Sequence, residues 1–295
     1  MNEHLKNKRI AFVGGGMMGG AIIHALIEKL KHPSTFIRAS DPNQDRREFL
    51  GSKFQIEVTE DNLAAVSGAD IVVLAVKPQM LPDVMSELKG SIPKKALVFS
   101  IIAGIPISNI QKGLQHRAVV RTMPNTPAQI GEAMTVWTAS KDVTEEQRAE
   151  ASEILRGMGM ELYVKHEDAL DMATAICGTG PTYAFLLMEA LVDAAVHMGL
   201  SRADARPLVI QTVLGSAKLA MQSDKHLAEL RNMVTSPGGT SAEAIYQMEK
   251  GGMRTILSKA VWAAYQKAHL LGKRAEEPMN APLSVDSIAP EHPER

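Results

Sequence analysis

Three consecutive glycines interrupt the chain just after its first apolar run, where Ile10 to Val13 leads into Gly14-Gly15-Gly16-Met17-Met18-Gly19. A four-residue apolar run that stops at glycine and resumes with helical periodicity reads as strand, tight turn and helix. The same alternation then repeats. Phe36 to Ala39, Ile71 to Val76, Ala96 to Ile102 and Ala118 to Thr122 each suit a strand buried on both faces. Met17 to Lys31, Asp45 to Lys53, Met80 to Lys89 and Pro106 to Leu114 suit the helices between them. Strand and helix in strict alternation predict an α/β fold, a doubly wound parallel sheet with right-handed crossovers.

Met134 to Thr138 and Met160 to Val164 can extend that sheet around a helix opened by Thr144-Glu145-Glu146-Gln147, a capping-box pattern. Beyond Glu167 strand signals disappear. Pro181 to Met198, Ser201 to Met221, Ala242 to Lys250 and Met253 to Leu271 have helical periodicity and are rich in Ala, Leu and Met. Ser201 with Asp204 gives a second capping pattern. Such helices carry more apolar surface than one small layer can hide, which points to a subunit interface. The expected division is residues 1–165 for the sheet, 166–273 for the helices and 274–295 for a disordered, Pro-punctuated tail.

Composition excludes several classes. Lys and Arg number 32 against 33 Asp and Glu, a net charge of −1, so no basic field exists to hold nucleic acid or an anionic membrane. Nine histidines include no pair one helical turn apart, and Cys177 is the single cysteine, so neither a metal site nor a disulfide is expected. Lys6-Asn7-Lys8-Arg9 and the apolar stretch after it copy a secretory signal superficially, but five glycines between 14 and 20 interrupt the stretch. No apolar run approaches the ~20 residues that span a bilayer. A cytoplasmic protein with a small-molecule partner is the expectation.

The glycine turn is the most direct chemical signal. Its glycines supply the tight turn, the close approach of backbone to a pyrophosphate and the close packing of helix on strand, while the helix N-terminus supplies N–H groups for the phosphates. A dinucleotide is the implied ligand. About 20 residues beyond the last glycine, where an acidic residue contacts a ribose 2′-hydroxyl, stands Asp41, which favours NAD. Ser40, Asn43, Arg46 and Arg47 lie beside it, and hydroxyl and guanidinium groups are what a 2′-phosphate needs. The two readings stand side by side, and the guanidinium groups tip the expectation to NADPH, with NADH as the alternative.

Loops at the carboxyl ends of parallel strands form the ligand crevice. Ala75-Val76-Lys77-Pro78, Ala103-Gly104 and Met123-Pro124-Asn125-Thr126-Pro127 all occupy that position. Lys77 is either a ligand-facing cation or a solvated lysine ahead of a helix with Pro78 at its first position. Farther on, Thr235-Ser236-Pro237-Gly238-Gly239-Thr240-Ser241 runs straight into a helix. Consecutive glycines let N–H groups converge at a helix N-terminus, where a carboxylate is held. An ordinary loop with a Ser or Thr cap fits the same residues. Cys177-Gly178-Thr179-Gly180-Pro181 is a similar glycine loop, with Cys177 read as a packed small thiol because no basic partner is near it in sequence.

GxGxxG at 14–19, AVKP at 75–78, NTP at 125–127, GTGPTYAF at 178–185 and SPGGTS at 236–241, in that order and spacing, resemble pyrroline-5-carboxylate reductase over residues 8–272. The resemblance implies an N-terminal Rossmann-like domain, a C-terminal all-α substrate and dimerisation domain, and a homodimer or higher homo-oligomer. It implies an oxidoreductase that reduces 1-pyrroline-5-carboxylate to L-proline with NAD(P)H, the last step of proline biosynthesis. Carried over by motif, Gly14, Gly16, Met17, Met18, Gly19, Ser40, Asn62, Ala75, Val76, Lys77 and Pro78 hold the cofactor, with Ala103, Gly104 and Asn125 near the nicotinamide. Ser236, Gly238, Gly239, Thr240 and Ser241 receive the substrate, Glu167 matches an acidic position near it, and Ser241 supplies the catalytic hydroxyl.

The chain departs from the family pattern at three positions, with Cys177 and Thr179 where serine is usual and Ser241 where threonine is usual. Ser241 keeps the hydroxyl but lacks the methyl group that fixes its rotamer. A rival, the 3-hydroxy-acid dehydrogenases, resembles the chain in overall plan but places a catalytic lysine on the first long helix of the second domain. No lysine occurs here between Gly178 and Ala217. A dinucleotide sensor without catalysis would leave the SPGGT segment idle.

Overall fold

The structure is a computed structural model and describes residues 3–276. Eight strands form one sheet in the order β3-β2-β1-β4-β5-β6-β7-β8. In chain order its elements are β1 (Ile10–Val13), α1 (Met17–His24), β2 (Ile37–Ser40), α2 (Gln44–Phe54), β3 (Glu57–Thr59), α3 (Asn62–Val66), β4 (Ile71–Leu74), α4 (Leu81–Leu88), β5 (Leu97–Ser100), α5 (Ile107–Leu114), β6 (Val119–Met123), β7 (Ala133–Ala139), α6 (Glu145–Met158) and β8 (Gly159–Tyr163). A wide π-helical turn, Ala25–Lys29, prolongs α1. All residues of β1, β4 and β5 are buried. That is why these strands read as unbroken apolar runs rather than alternating ones. One face packs Phe12, Ile22, Leu50 and Phe99 into a core, and the other packs Val13, Leu74, Leu88 and Ile110.

Every neighbouring pair is parallel except β6 with β7, where Val120 faces Ala139 and Met123 faces Val136. The uniformly parallel sheet expected from alternation is corrected here. Only a short link with the 3-10 turn Thr126–Ile130 separates β6 from β7, and a parallel return needs a crossover of a dozen or more residues. The capping box is present as expected: Thr144 Oγ1 accepts from the Gln147 N–H at 3.2 Å and Gln147 Oε1 from the Thr144 N–H at 3.1 Å. At 201 the pattern is one-sided, because Ser201 Oγ accepts from the Asp204 N–H at 3.1 Å but donates to the Asp204 carboxylate at 2.6 Å.

The helical half comprises α7 (Ala169–Ala173), a π-helical turn at Thr174–Gly178, α8 (Gly180–His197), α9 (Arg202–Met221), α10 (Leu227–Met233), α11 (Thr240–Lys250) and α12 (Met253–Glu276). Of the expected tail, Arg274–Glu276 continue α12, and the rest lies outside the described residues. A small cluster of Val192, Ala195 and Ala205 is its own buried core. Phe185, Leu186, Ile256 and Trp262 are each at least 60% exposed. The surplus of apolar surface inferred from composition is therefore visible. Within the 29 helical residues Ala169–His197, an 18-residue stretch with a mean hydropathy of 1.3 is long and apolar enough by composition to cross a bilayer, where the sequence reading saw no such run. Asp171, Glu189 and Asp193 fall within the 29 residues.

Gly159 joins α6 to β8 at φ +146, and a Cβ there would stand 2.3 Å from the Ala133 carbonyl oxygen and 2.4 Å from its nitrogen. Both obstacles are backbone. Gly159→Ala is expected to destabilise the protein by at least about 2 kcal/mol through strain at that φ and the collision, read as a lowered midpoint in chemical denaturation.

Candidate active site

The parallel run β2-β1-β4-β5-β6 brings its loops to one edge of the sheet, and the order reverses between β1 and β4. Ligands bind at such a switch point. Gly14, at φ +92, backs onto the end of β4: an added Cβ would meet the Ala75 carbonyl carbon and oxygen at 2.9 Å. At Gly19 an added Cβ would meet the Gly14 carbonyl oxygen at 2.9 Å, so α1 lies against its own entry turn. Around Gly16 nothing lies within 4 Å of such an atom. The turn is thus tight at its first glycine, closely packed at its last and open in the middle, the shape that in dinucleotide-binding turns admits a pyrophosphate to backbone N–H groups. Gly16 caps α1 without any side-chain bond, and Met17 and Met18 form its first turn.

The carboxyl end of β2 carries a connected polar network. Asp41 Oδ2 accepts the Gly15 N–H at 2.8 Å, and Asp41 Oδ1 accepts the Asn43 N–H at 2.9 Å. Ser40, fully buried, donates to Asn62 Oδ1 at 2.7 Å, and Asn62 Nδ2 donates to the Glu87 carboxylate at 2.7 Å. The two arginines expected around a 2′-phosphate each hold backbone carbonyls of the neighbouring turns. Arg46 donates from Nε to the Gly15 carbonyl and from Nη2 to the Gly16 carbonyl, the latter at 3.0 Å. Arg47 donates to the carbonyls of Asp41 and Pro42 and pairs with Glu60 at 3.5 Å. Helix α2 turns both guanidinium groups back onto the chain, which its sequence alone does not reveal.

Ala75, Val76, Lys77 and Pro78 carry the chain from β4 into a 3-10 turn, with Lys77 exposed ahead of Pro78. Ala103 and Gly104 follow β5, Gly104 at φ +75. Asn125 follows β6 and bridges the two halves of the molecule: its Oδ1 accepts the Met134 N–H at 3.0 Å, and its Nδ2 donates to the Cys177 carbonyl at 3.1 Å. The Cys177 Sγ donates to the Ala173 carbonyl at 3.1 Å, and burial pushes its thiol pKa up. A thiol held protonated is no nucleophile, in keeping with its reading as a packed side chain.

Glu167 is also a bridge. Its Oε1 accepts the Ile107 N–H at 2.8 Å and lies 2.8 Å from Arg121 Nη1. Arg121 Nη2 lies 3.0 Å from Asp171 Oδ1, and Asp171 is 3.8 Å from His269 of α12. Arg121 is 5% exposed, so both carboxylates compensate a guanidinium withdrawn from water. The sequence reading did not single out Arg121. The available signal was a charged residue inside the apolar run Ala118 to Thr122, which requires buried partners.

The segment Thr235–Gly239 turns sharply, with Gly238 at φ +67 and the Gly239 N–H donating to the Ser236 carbonyl at 3.0 Å. Gly239 caps α11 and has no side-chain cap bond. Thr235 Oγ1 is turned to the Arg231 carbonyl at 2.7 Å. The ordinary Ser or Thr cap is therefore not what the segment forms. Thr240 and Ser241 are the first two helical residues, at the end where a helix has N–H groups without internal partners. Helix α12, which follows α11, also packs on the Thr174–Gly178 turn that Asn125 holds. Within one chain the structure puts no hydrogen bond between Ser241 and Asn125, Ala103 or Gly104. A cavity of about 510 Å³ lies instead at the opposite edge of the sheet, lined by Lys8, Asp70, Arg117 and Glu150, and touches none of these loops.

A doubly wound sheet with this glycine turn at its switch point, joined to a helical half through the loops after β5 and β6, is a fold of nicotinamide-dinucleotide oxidoreductases. Residues 167–271 match a family model described as pyrroline-5-carboxylate reductase dimerisation, and residues 9–104 match one described as NADP oxidoreductase coenzyme F420-dependent. Pyrroline-5-carboxylate reductases of Synechocystis sp. and Pseudomonas aeruginosa are each 40% identical to the chain, over 90% and 92% of it and 99% of each relative. A solved pyrroline-5-carboxylate reductase from Coxiella burnetii superposes with a TM-score of 0.83 at 37% identity, covering 90% of this chain and 98% of its own. One from Plasmodium falciparum with NADP bound gives 0.83 at 30% identity, again over 90% and 98%. The chain belongs to the pyrroline-5-carboxylate reductase family.

Replacing a single member of a buried ion network leaves its partners uncompensated. Arg121→Ala is expected to cost about 3 kcal/mol or more, seen as a lower thermal midpoint. An unchanged midpoint would show that solvent, not Arg121, satisfies Glu167 and Asp171.

Proposed function

We propose that this enzyme reduces 1-pyrroline-5-carboxylate to L-proline, completing proline biosynthesis, with residues 1–165 holding the dinucleotide and 166–273 holding the substrate and the subunit contact. The observation that carries the substrate reading is the Ser236–Ser241 segment, a glycine turn that leaves the first N–H groups of α11 open to an anion. The dinucleotide, NADPH or NADH, supplies a hydride when bound. Gly14, Gly16, Met17, Met18 and Gly19 receive its pyrophosphate at the N-terminus of α1, Ser40 and Asn62 its adenosine ribose side, and Ala75, Val76, Lys77 and Pro78 the far wall.

Ala103, Gly104 and Asn125 set the nicotinamide side. Gly238, Gly239 and Thr240, with Ser236 in the turn, hold the substrate carboxylate, and the Ser241 hydroxyl is the catalytic group at the ring nitrogen. A protonated cyclic imine already carries the charge that draws hydride to its carbon, so orientation matters more than a strong acid. Glu167 acts through the loops it ties together: its carboxylate is bound to Arg121 and to the N–H that opens α5. The exposed apolar faces of α8, α9 and α12 are covered by a second copy of the chain, as the matched dimerisation model suggests for this half. A lone cysteine and balanced charge suit a cytoplasmic enzyme with neither nucleic acid nor membrane as partner.

Purified protein is expected to oxidise NADPH or NADH when 1-pyrroline-5-carboxylate is added and to form proline in equal amount. Cofactor reduction by 3-hydroxy acids, with no turnover of the imine, would overturn the substrate reading.

Ser241→Ala removes one hydroxyl donor from a buried substrate atom at a cost of about 1–3 kcal/mol. The expected result is a kcat/KM for the imine lowered roughly 5- to 150-fold, with dinucleotide affinity unchanged. Because Gly239 caps α11, the melting temperature should stay near that of the parent. Ser241→Thr keeps the donor and should remain active. A fully active but less stable alanine variant would refute the role of Ser241.

A further inference from the structure

The cavity of about 510 Å³ at the amino edge of the sheet is framed by the starts of four parallel strands and the entry to α6. Its two ends carry opposite charge. In the sheet order β1-β4-β5-β6, Lys8 and Asp70 stand ahead of the first two strands, and Glu146 and Glu150 of α6 close on the Lys8 ammonium at 3.1 and 2.6 Å. That end holds three carboxylates and one ammonium, and Glu150 is only 2% exposed. At the other end Lys94 and Lys95 stand ahead of β5 and Arg117 ahead of β6, with Asp142, beyond β7, as the carboxylate lining that side. Among the described residues no carboxylate lies within 4.0 Å of Lys94, Lys95 or Arg117.

The walls are anchored. Gln147 Nε2 donates to the Lys95 carbonyl at 3.1 Å, and the Arg117 carbonyl accepts from Gln111 Nε2 at 2.6 Å and from Ser140 Oγ at 2.8 Å. Asp70 Oδ2 accepts the Arg9 N–H at 2.8 Å. The charges are thus carried on backbone that is fixed before a ligand arrives, which lowers the ordering cost of binding. The N-terminus of α6 does not favour an anion, because Thr144 caps it and Glu145 and Glu146 fill its first turn.

A purely anionic ligand would meet Asp70 and the two glutamates, and a purely cationic one would meet Lys94, Lys95 and Arg117. A molecule that carries an ammonium beside a carboxylate answers both ends. Burial pushes the Glu150 carboxyl pKa up against the opposing Lys8 ammonium, so a further positive charge at that end restores what burial takes away. An ionised carboxylate has about four acceptor sites, so Glu150 can accept from a second ammonium while it holds Lys8. We propose that this cavity is a second ligand site that binds a free α-amino acid as its zwitterion, the carboxylate toward Lys94, Lys95 and Arg117 and the ammonium toward Asp70 and Glu150. The assignment comes from the placement of charge at the amino edge and does not rest on the imine as substrate, so either reading can fail without the other.

The test is protection of single lysines of the full-length protein from acetylation, read by mass spectrometry, with L-proline as the probe. This reads the cavity itself, whatever binds in the crevice at the opposite edge. At a concentration about ten times the dissociation constant, proline should slow the acetylation of Lys94 and Lys95 about tenfold by mass action, and leave Lys112, exposed on α5, unaffected. Cyclopentanecarboxylate, which lacks the ammonium, and pyrrolidine, which lacks the carboxylate, should protect neither lysine at that concentration. Arg117→Gln removes one charge-assisted partner and should raise the proline concentration needed for protection by about tenfold or more, with the rate of imine reduction unchanged. Absence of protection by proline, equal protection by either single-charge analogue or by inorganic phosphate, or full protection in Arg117→Gln would each overturn the proposal. The comparison of probes on the parent decides the matter even where the variant fails to fold.

Discussion

The close contact between the first glycine turn and the end of β4 sets the geometry on which the cofactor crevice depends. Gly14 can lie against the Ala75 carbonyl only without a side chain, and Gly19 can lie against the Gly14 carbonyl on the same terms. With both contacts made, α1 leaves the sheet at the switch point with its N-terminus toward the crevice. Arg46 then grips the Gly15 and Gly16 carbonyls and Asp41 takes the Gly15 N–H. Together they immobilise the backbone around the position left open at Gly16. For a loop proposed to present N–H groups to a pyrophosphate, such anchoring lowers the ordering cost of binding.

A second set of contacts joins this rigid edge to the helices. Asn125 links the start of β7 to the Cys177 carbonyl, while Arg121 links β6 to Glu167 and Asp171, and Glu167 in turn reaches the opening of α5. All of these lie on the side where the loops after β5 and β6 face the helical half. Burying a guanidinium is costly unless it is fully paired, and such pairs confer a unique arrangement more than net stability. Here the arrangement fixed is the way α7 and the Thr174–Gly178 turn meet the loops after β5 and β6.

Legibility in the sequence followed the range of the interactions. β1, β4 and β5 were readable because burial on both faces makes a continuous apolar run. β3 was not, since it is a three-residue edge strand with Glu57 exposed and no apolar signature. The helices α3 and α7 are five residues each and α10 seven, too short for a period to emerge. The glycine turn and the SPGGT segment were legible as site elements because their chemistry is local and backbone-borne. The ion network was not, because Arg121 finds its partners 46 and 50 residues away. Arg46 and Arg47 were visible as charges, but which way α2 aims them depends on its docking against the glycine turn.

Helices α1 and α11, whose N-terminal ends are proposed to receive anions, open with the same device in different surroundings. At α1 and at α11 a glycine caps the helix without a side-chain bond, so no serine or threonine oxygen competes for the first N–H groups. The α1 end has sheet, Arg46 and Asp41 behind it, while Gly16 and Met17 stay exposed on its open side. The α11 end stands exposed within one chain, with Ser236, Gly238 and Thr240 all open to solvent. A substrate carboxylate held there would be in water, where its hydrogen bonds are weak. Covering this end by a second copy of the helical half would desolvate it, strengthening the hydrogen bonds to the carboxylate and the contact with the Ser241 hydroxyl. On the proposed function, subunit association and catalysis become one requirement, since the exposed apolar residues of α8, α9 and α12 and the entry to α11 belong to the same helical half.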